Sequence, residues 1–203
     1  MKLHGYLERL FGSKVAISLV RTLVIYRGKV FTVRGLADTA RVSSSEAAVV
    51  VGQLEKYGII RIQPVGRSHM VSLNEKSYAF KSIIRPMLRA EQETVAELAS
   101  ALKKHLSDKS VISAAVFGSV TRGEEREDSD IDLVVVSDDF DRVIALVSRA
   151  QEEVSLTFGS RLSPIILSKK DFMTKRNGRL VHSIIDSYIA VAGKDPRQMI
   201  EGK

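Results

Sequence analysis

The spacing of hydrophobic positions changes period several times along the chain, and each change marks an element. From Lys14 to Tyr26, Val15, Ile17, Leu19, Val20, Leu23 and Val24 recur at helical spacing, which predicts a helix. Residues 29–33 are short and β-branched behind the breaker Gly28, which predicts a strand. In "VRGLADTARVSSSEAAVVVGQLEKYGII", Leu36, Ala37 and Ala40 form a brief helical face that Val42 and Ser43 interrupt. Ser43 followed three residues later by Glu46 has the spacing of a capping box. A further helix is therefore expected from there through Leu54, stopping at Gly58. "IIRIQPVGRSHMVSLN" alternates, turns at Pro64–Gly66 and alternates again, the pattern of a β-hairpin. Strong helix formers then fill residues 76–106, with one expected break at Pro86 and a stripe of Ile83, Leu88, Val95, Leu98, Leu102 and Leu106. Such a stripe suits ordinary core-facing surface; a seam with a second copy, giving a homodimer, is the alternative.

The second half reads differently. Residues 111–117 run β-branched and apolar up to Gly118, and residues 131–136 form a second apolar run. Strand side chains alternate, so Asp130, Asp132, Val134 and Val136 share one face and Ile131, Leu133 and Val135 the other. Both faces are apolar beyond Leu133, which predicts a central strand with helices against it. "RLSPIILS", residues 161–168, reads as a third strand.

Charge divides the chain in the same place. Residues 1–90 hold 15 Lys/Arg against 5 Asp/Glu, whereas residues 111–203 hold 13 against 15, within a net charge of +7 over 203 residues. A basic half beside a slightly acidic one predicts two modules with different partners. The absence of cysteine excludes disulfides, zinc–thiolate sites and thiol nucleophiles. "MKLHGYLERLFG" carries charges throughout, so no signal peptide is expected there, and no uncharged apolar run approaches the roughly 18 residues of a membrane span. A soluble, cytoplasmic protein with no membrane partner is the expectation. The histidines His4, His69, His105 and His182 are scattered without ligand spacing.

The chemistry concentrates in "AAVFGSVTRGEEREDSDIDLVVV", where six of the nine residues from Glu124 to Asp132 are acids. Asp130 and Asp132 stand at the mouth of a buried-looking strand, at i and i+2, roughly 6–7 Å apart along it. Paired like charges there repel unless a divalent cation compensates them, and oxygen-only ligands favour Mg²⁺ or Mn²⁺. Glycine at 118 lets backbone N–H groups approach a phosphate, and Ser119 adds a hydroxyl donor. Gly118 and Gly123 have the glycine spacing of a Walker loop, but Glu124 stands where its lysine belongs.

Two resemblances follow from these residues. Helix, helix after a short turn, then a two-stranded wing over about residues 12–75 resembles the winged helix-turn-helix domains of microbial transcription regulators. It implies DNA binding through the helix beginning near Ser43, with Ser44 and Ser45 forward and Arg61, Arg67 and His69 on the wing near phosphates. Against base reading, that helix offers serines and small apolar groups where bidentate donors are usual; dimerisation or domain packing is the other use.

"GSVTRGEEREDSDIDLVVV" resembles the signature of the minimal nucleotidyltransferases of the DNA polymerase β superfamily, met here by Gly118, Ser119, Arg122, Gly123, Ser129, Asp130, Asp132 and Leu133, over roughly residues 95–195. The resemblance implies an α/β domain with a small mixed sheet, and Gly118 and Ser119, with Arg122 and Ser129 nearby, holding the triphosphate of ATP or another NTP. Asp130 and Asp132 would bind Mg²⁺ while a hydroxyl attacks the α-phosphorus. The acceptor would be a protein side chain, as in toxin–antitoxin systems, or a small-molecule or RNA hydroxyl. The family's third carboxylate, on a later strand, is missing: Ser163 or Pro164 occupies its place, and Asp171, Glu152 and Glu153 are the nearest acids. Loss of a positioned base costs on the order of 10²–10⁴ in rate, so a regulator whose transferase-like domain only binds nucleotide or a partner is the alternative to an enzyme. The fold expected is α+β: a winged helix over 1–76, connecting helices over 77–107 and a nucleotidyltransferase-like domain over 108–203.

Overall fold

The structure, a computed structural model, describes residues 12–66 and 68–201. The chain separates into two compact units, residues 1–92 and 93–203, and is mixed α/β with two small sheets.

In the first unit, helix α1 (Lys14–Ile25) is capped by Ser13, whose hydroxyl accepts from Ala16 N at 3.2 Å. Strand β1 is only Phe31–Thr32, shorter than the apolar run 29–33, because Thr32 already serves as the N-cap of α2 (Val33–Ala40), its Oγ1 accepting from Gly35 N at 3.0 Å. Arg41 ends α2 in the left-handed region (φ 56°). Helix α3 (Ser44–Lys56) starts where the serine run predicts, but the capping box does not form: the Ser43 hydroxyl lies 2.8 Å from that of Ser45 and makes no capping bond.

Strands β2 (Ile60–Val65) and β3 (Ser68–Leu73) pair antiparallel, and β1 adds to β3, giving the order β1-β3-β2. Pro64 is not in the turn but in β2, opposite His69; β2 is an edge strand, where a missing N–H is tolerated. Leu19, Leu23, Leu36, Ala47, Val51, Leu54, Ile59 and Val71 close one core beneath these elements.

Pro86 does not break the following helix. A π turn (Phe80–Ile84) leads directly into α4 (Arg85–Leu106). Proline lacks the N–H for the bond four residues back and its ring crowds that carbonyl; the widened turn accommodates both effects. The division between the units falls within α4.

The second unit is a four-stranded sheet in the order β6-β5-β4-β7: β4 (Ser113–Phe117), β5 (Ile131–Val136), β6 (Leu162–Leu167) and β7 (Tyr188–Gly193). Only β5 and β6 run parallel, joined across helix α6 (Phe140–Phe158), while β4 is antiparallel to both neighbours. A parallel pair needs such a crossover. Between β4 and β5 lies the single turn α5 (Ser119–Arg122); α7 (Lys169–Thr174) and α8 (Arg179–Asp186) precede β7, and α9 (Pro196–Glu201) follows it. Alternation along β5 is as expected. Ile131, Leu133 and Val135 pack with Leu98, Leu102 and Leu106 of α4 and with Val143, Val147 and Val154 of α6. Val134 and Val136 pack on the opposite face with Phe172, Val181, Ile184 and Met199. The central strand is therefore covered on both sides. Among the described residues no helix is long and apolar enough to cross a membrane.

Candidate functional site

Antiparallel pairing of β4 with β5 sets the end of one strand against the beginning of the other. Phe117, the last residue of β4, is in register with Asp132, and Gly118 follows directly. β6 and β7 begin at the same edge of the sheet. Asp132 is in register with Ser163 on one side, and Phe117 with Tyr188 on the other. Ser163, Asp132, Phe117 and Tyr188 thus form one cross-strand row.

Gly118 (φ 84°, ψ −150°) turns the chain out of the sheet in a conformation that L side chains rarely adopt. A Cβ there would overlap Asp132 Oδ2 and stand 3.1 Å from Cγ, so glycine is required both by the torsion and by the approach of the carboxylate. Ser119 starts α5, half-buried. The turn is held from behind: Thr121 Oγ1 lies 2.9 Å from Gly118 O and 3.0 Å from Ser187 O, and Ser187 Oγ donates to Thr121 O at 3.2 Å. Gly123, left-handed at φ 65°, ends the turn.

Asp130 and Asp132 are each partly exposed. Burial is the main cause that raises the Asp132 carboxyl above its ordinary value; the charge of Asp130 adds to it and Arg122 opposes it. Arg161 Nε lies 3.8 Å from Asp130 Oδ2, with an arginine side chain 83% exposed. The parallel ladder brings it there, since Ile131 N donates to Arg161 O at 2.8 Å. Sequence reasoning missed Arg161, Thr121 and Ser187. Only knowledge of which strands pair would have found them.

The remaining sequence-derived residues divide. Arg122 reaches away to Glu124 (2.7 Å), and Ser129 Oγ accepts from Arg126 N at 2.8 Å inside the acidic loop. Glu124, Glu125, Glu127 and Asp128 are exposed. Ser163 is the β6 residue beside Asp132, and Pro164 lies one step further in, beside Leu133. Of the other acids, Glu152 is exposed, while Asp171 and Glu153 have partners of their own. Ser168 caps α7 by accepting from Asp171 N at 3.0 Å and donates its hydroxyl to Asp171 Oδ2 at 2.6 Å, and Glu153 is engaged by His105 and by Lys104 at 3.4 Å. Among the described residues no group of three or more His, Asp or Glu is placed to hold a metal ion. In the first unit, α3 buries Ala47, Val50, Val51 and Leu54 and exposes Ser44, Ser45, Ala48 and Val49, while Arg61 and His69 are exposed on the hairpin. Arg67 lies outside the described residues.

A profile described as "Nucleotidyltransferase domain" matches residues 96–187, the span that contains this edge of the sheet. A Methanocaldococcus jannaschii protein named as a protein adenylyltransferase is 31% identical over 97 residues, 47% of this chain and 92% of its own length. The chain belongs to the nucleotidyltransferase-domain family. Solved structures overlap more loosely. A toxin–antitoxin crystal structure with AMP-PNP gives a TM-score of 0.37 at 16% identity, over 51% of this chain and 82% of its own. TrmBL2, an archaeal chromatin protein, gives 0.30 at 17% identity, over 89% and 75%. Similarity this slight assigns neither ligand nor partner.

Proposed function

We propose that the second unit transfers a nucleotidyl group, AMP from ATP, to a hydroxyl on a protein. The observation that carries this reading is the packing of the Gly118 turn directly against Asp132, with Asp130 two residues away. Two carboxylates, one held high by burial and by the other, are an unfavourable pair alone and a suitable oxygen donor set for Mg²⁺. When bound, the ion would neutralise the triphosphate and the developing charge. Gly118 contributes a backbone close enough for a phosphate to approach, and Ser119 a hydroxyl donor. The acceptor hydroxyl forms the new bond to the α-phosphorus, pyrophosphate leaves, and the hydroxyl proton must go elsewhere. Ser163 cannot take it at neutral pH, which leaves solvent as its acceptor and makes the reaction slow. The relative named as a protein adenylyltransferase supports AMP as the group and protein as the acceptor class.

The test is incubation with α-labelled ATP, Mg²⁺ and extract from the source cell, followed by separation of labelled proteins. Label on a protein is the expected result. If ATP binds and nothing is labelled, the second unit is a nucleotide sensor, the reading that Ser163 beside Asp132 favours. Ser163→Asp places a carboxylate in that register and is expected to raise the transfer rate about a hundredfold, the lower end of what a positioned base contributes.

For the first unit our reading is a winged helix-turn-helix that binds DNA. It is supported by the order of elements, by the excess of 15 Lys/Arg over 5 Asp/Glu in residues 1–90, and by exposed Arg61 and His69. The exposed face of α3 carries Ser44, Ser45, Ala48 and Val49, few groups for base edges. Binding is therefore expected to be mostly electrostatic, weakening steeply between 50 and 200 mM salt (roughly 10³–10⁵-fold for six to ten phosphate contacts). A shift assay across that range checks it; salt-insensitive binding would contradict it.

A further inference from the structure

Thr121 and Ser187 are 66 residues apart and are joined by two hydrogen bonds, with a third inside the turn from Thr121 to Gly118. Thr121 Oγ1 is within bonding distance of two carbonyls, one belonging to Gly118 and the other to Ser187, and the Ser187 hydroxyl returns a bond to the Thr121 carbonyl. Both residues are half-buried, so water competes only partly for these groups. Besides these bonds the turn is held by Val120, which packs on the core, and by backbone bonds within itself from Gly123 N to Val120 O and Glu124 N to Ser119 O. Its helix is four residues long, its glycines at both ends have positive φ, and the loop that follows is exposed. Ser187 by contrast stands on an anchored stretch, between α8, which buries Val181 and Ile184, and β7, whose first residue pairs with Phe117.

We infer that Thr121 and Ser187 are positioning residues for nucleotide binding: they clamp the Gly118–Ser119 turn to the start of β7, so that its backbone N–H groups are preorganised for a phosphate before one arrives. Preorganisation of this kind raises affinity by removing the ordering cost from the binding step. The inference rests on the nucleotide reading above and adds residues to which that reading gave no task. Neither touches the phosphate itself; each acts through the backbone of Gly118 and Ser119.

The experiment uses the full chain in three variants, Thr121→Val, Thr121→Ser and Ser187→Ala. It measures affinity for Mg²⁺ with a non-hydrolysable ATP analogue by calorimetry, and amide hydrogen exchange of residues 118–123 without nucleotide. Thr121→Val keeps the shape and removes the hydroxyl. Faster exchange confined to the turn and about tenfold weaker nucleotide binding are expected. Thr121→Ser restores the donor and is expected to stay within about twofold of wild type, and Ser187→Ala, which removes one bond of three, to weaken binding about threefold. If exchange in Thr121→Val is unchanged, there is no clamp. If exchange rises and affinity is unchanged, the clamp is structural and the positioning role is overturned. Should wild type bind no analogue while exchange still rises in Thr121→Val, the nucleotide reading fails and takes the positioning role with it, although the clamp itself stands.

Discussion

Gly118→Ala is expected to abolish nucleotide binding while leaving a folded protein that is less stable by about 1–3 kcal/mol. Two effects add at this position. Alanine at φ 84° is strained wherever it occurs. The new methyl would also overlap Asp132 Oδ2. A carboxylate at the end of a short side chain can rotate away, so the overlap itself adds little to the loss of stability. That escape is what damages the site, because the group that moves is the one aimed at the turn. Circular dichroism on melting, with calorimetry using Mg²⁺ and an ATP analogue, separates the two effects. An alanine variant that binds nucleotide as wild type does would show that the proximity of Gly118 to Asp132 has no part in binding.

Replacing both acids, Asp130→Asn with Asp132→Asn, is expected to lower label transfer by on the order of a thousandfold, the several kcal/mol a bound cation supplies, with stability in metal-free buffer maintained or increased. The direction of the second effect follows from linkage. Burial and Asp130 hold the folded-state value of Asp132 above its unfolded value. The folded chain therefore binds that proton more tightly, and this contribution stabilises at low pH and is lost as pH rises through the folded value of Asp132. The charge of Asp130 is one of the causes that raise Asp132, and asparagine removes that repulsion. Mg²⁺ is accordingly expected to raise the melting temperature of wild type and to leave the double variant where it was. Equal stabilisation of both proteins would place the ion elsewhere.

Local signals made much of this legible. The glycine at 118, the i, i+2 acids and the apolar alternation along residues 131–136 are short-range patterns, and β5 with its two covered faces follows from them. Helix starts near Ser13 and Ser43 were equally local, although the Ser43–Ser45 contact shows that a capping sequence does not oblige the cap to form. Strand order was not legible at this range. Arg161 stands near Asp130, and Ser163 beside Asp132, only because β6 pairs parallel with β5. Ser187 meets Thr121 only because β7 adds to the far side of β4. Pairing partners depend on contacts separated by dozens of residues, for which side-chain periodicity carries no label. Pro64 and Pro86 depart from what the sequence pattern predicts for a related reason. Proline forbids certain hydrogen bonds, but an edge strand and a widened helical turn do not need those bonds.

The register between β4 and β5 has a consequence for how this domain can vary. Side chains on a strand alternate, so a slip of one residue would carry Asp132 to the face occupied by α4 and α6 and leave Ile131 facing the turn. What prevents the slip is the buried ladder from Ser113 opposite Val136 to Val116 opposite Leu133, which precedes the Phe117–Asp132 pair. The exposed acidic loop from Glu124 to Asp128 has no share in that alignment. It is free to lengthen, shorten or change charge, while the distance between glycine and aspartate is kept by the paired strands.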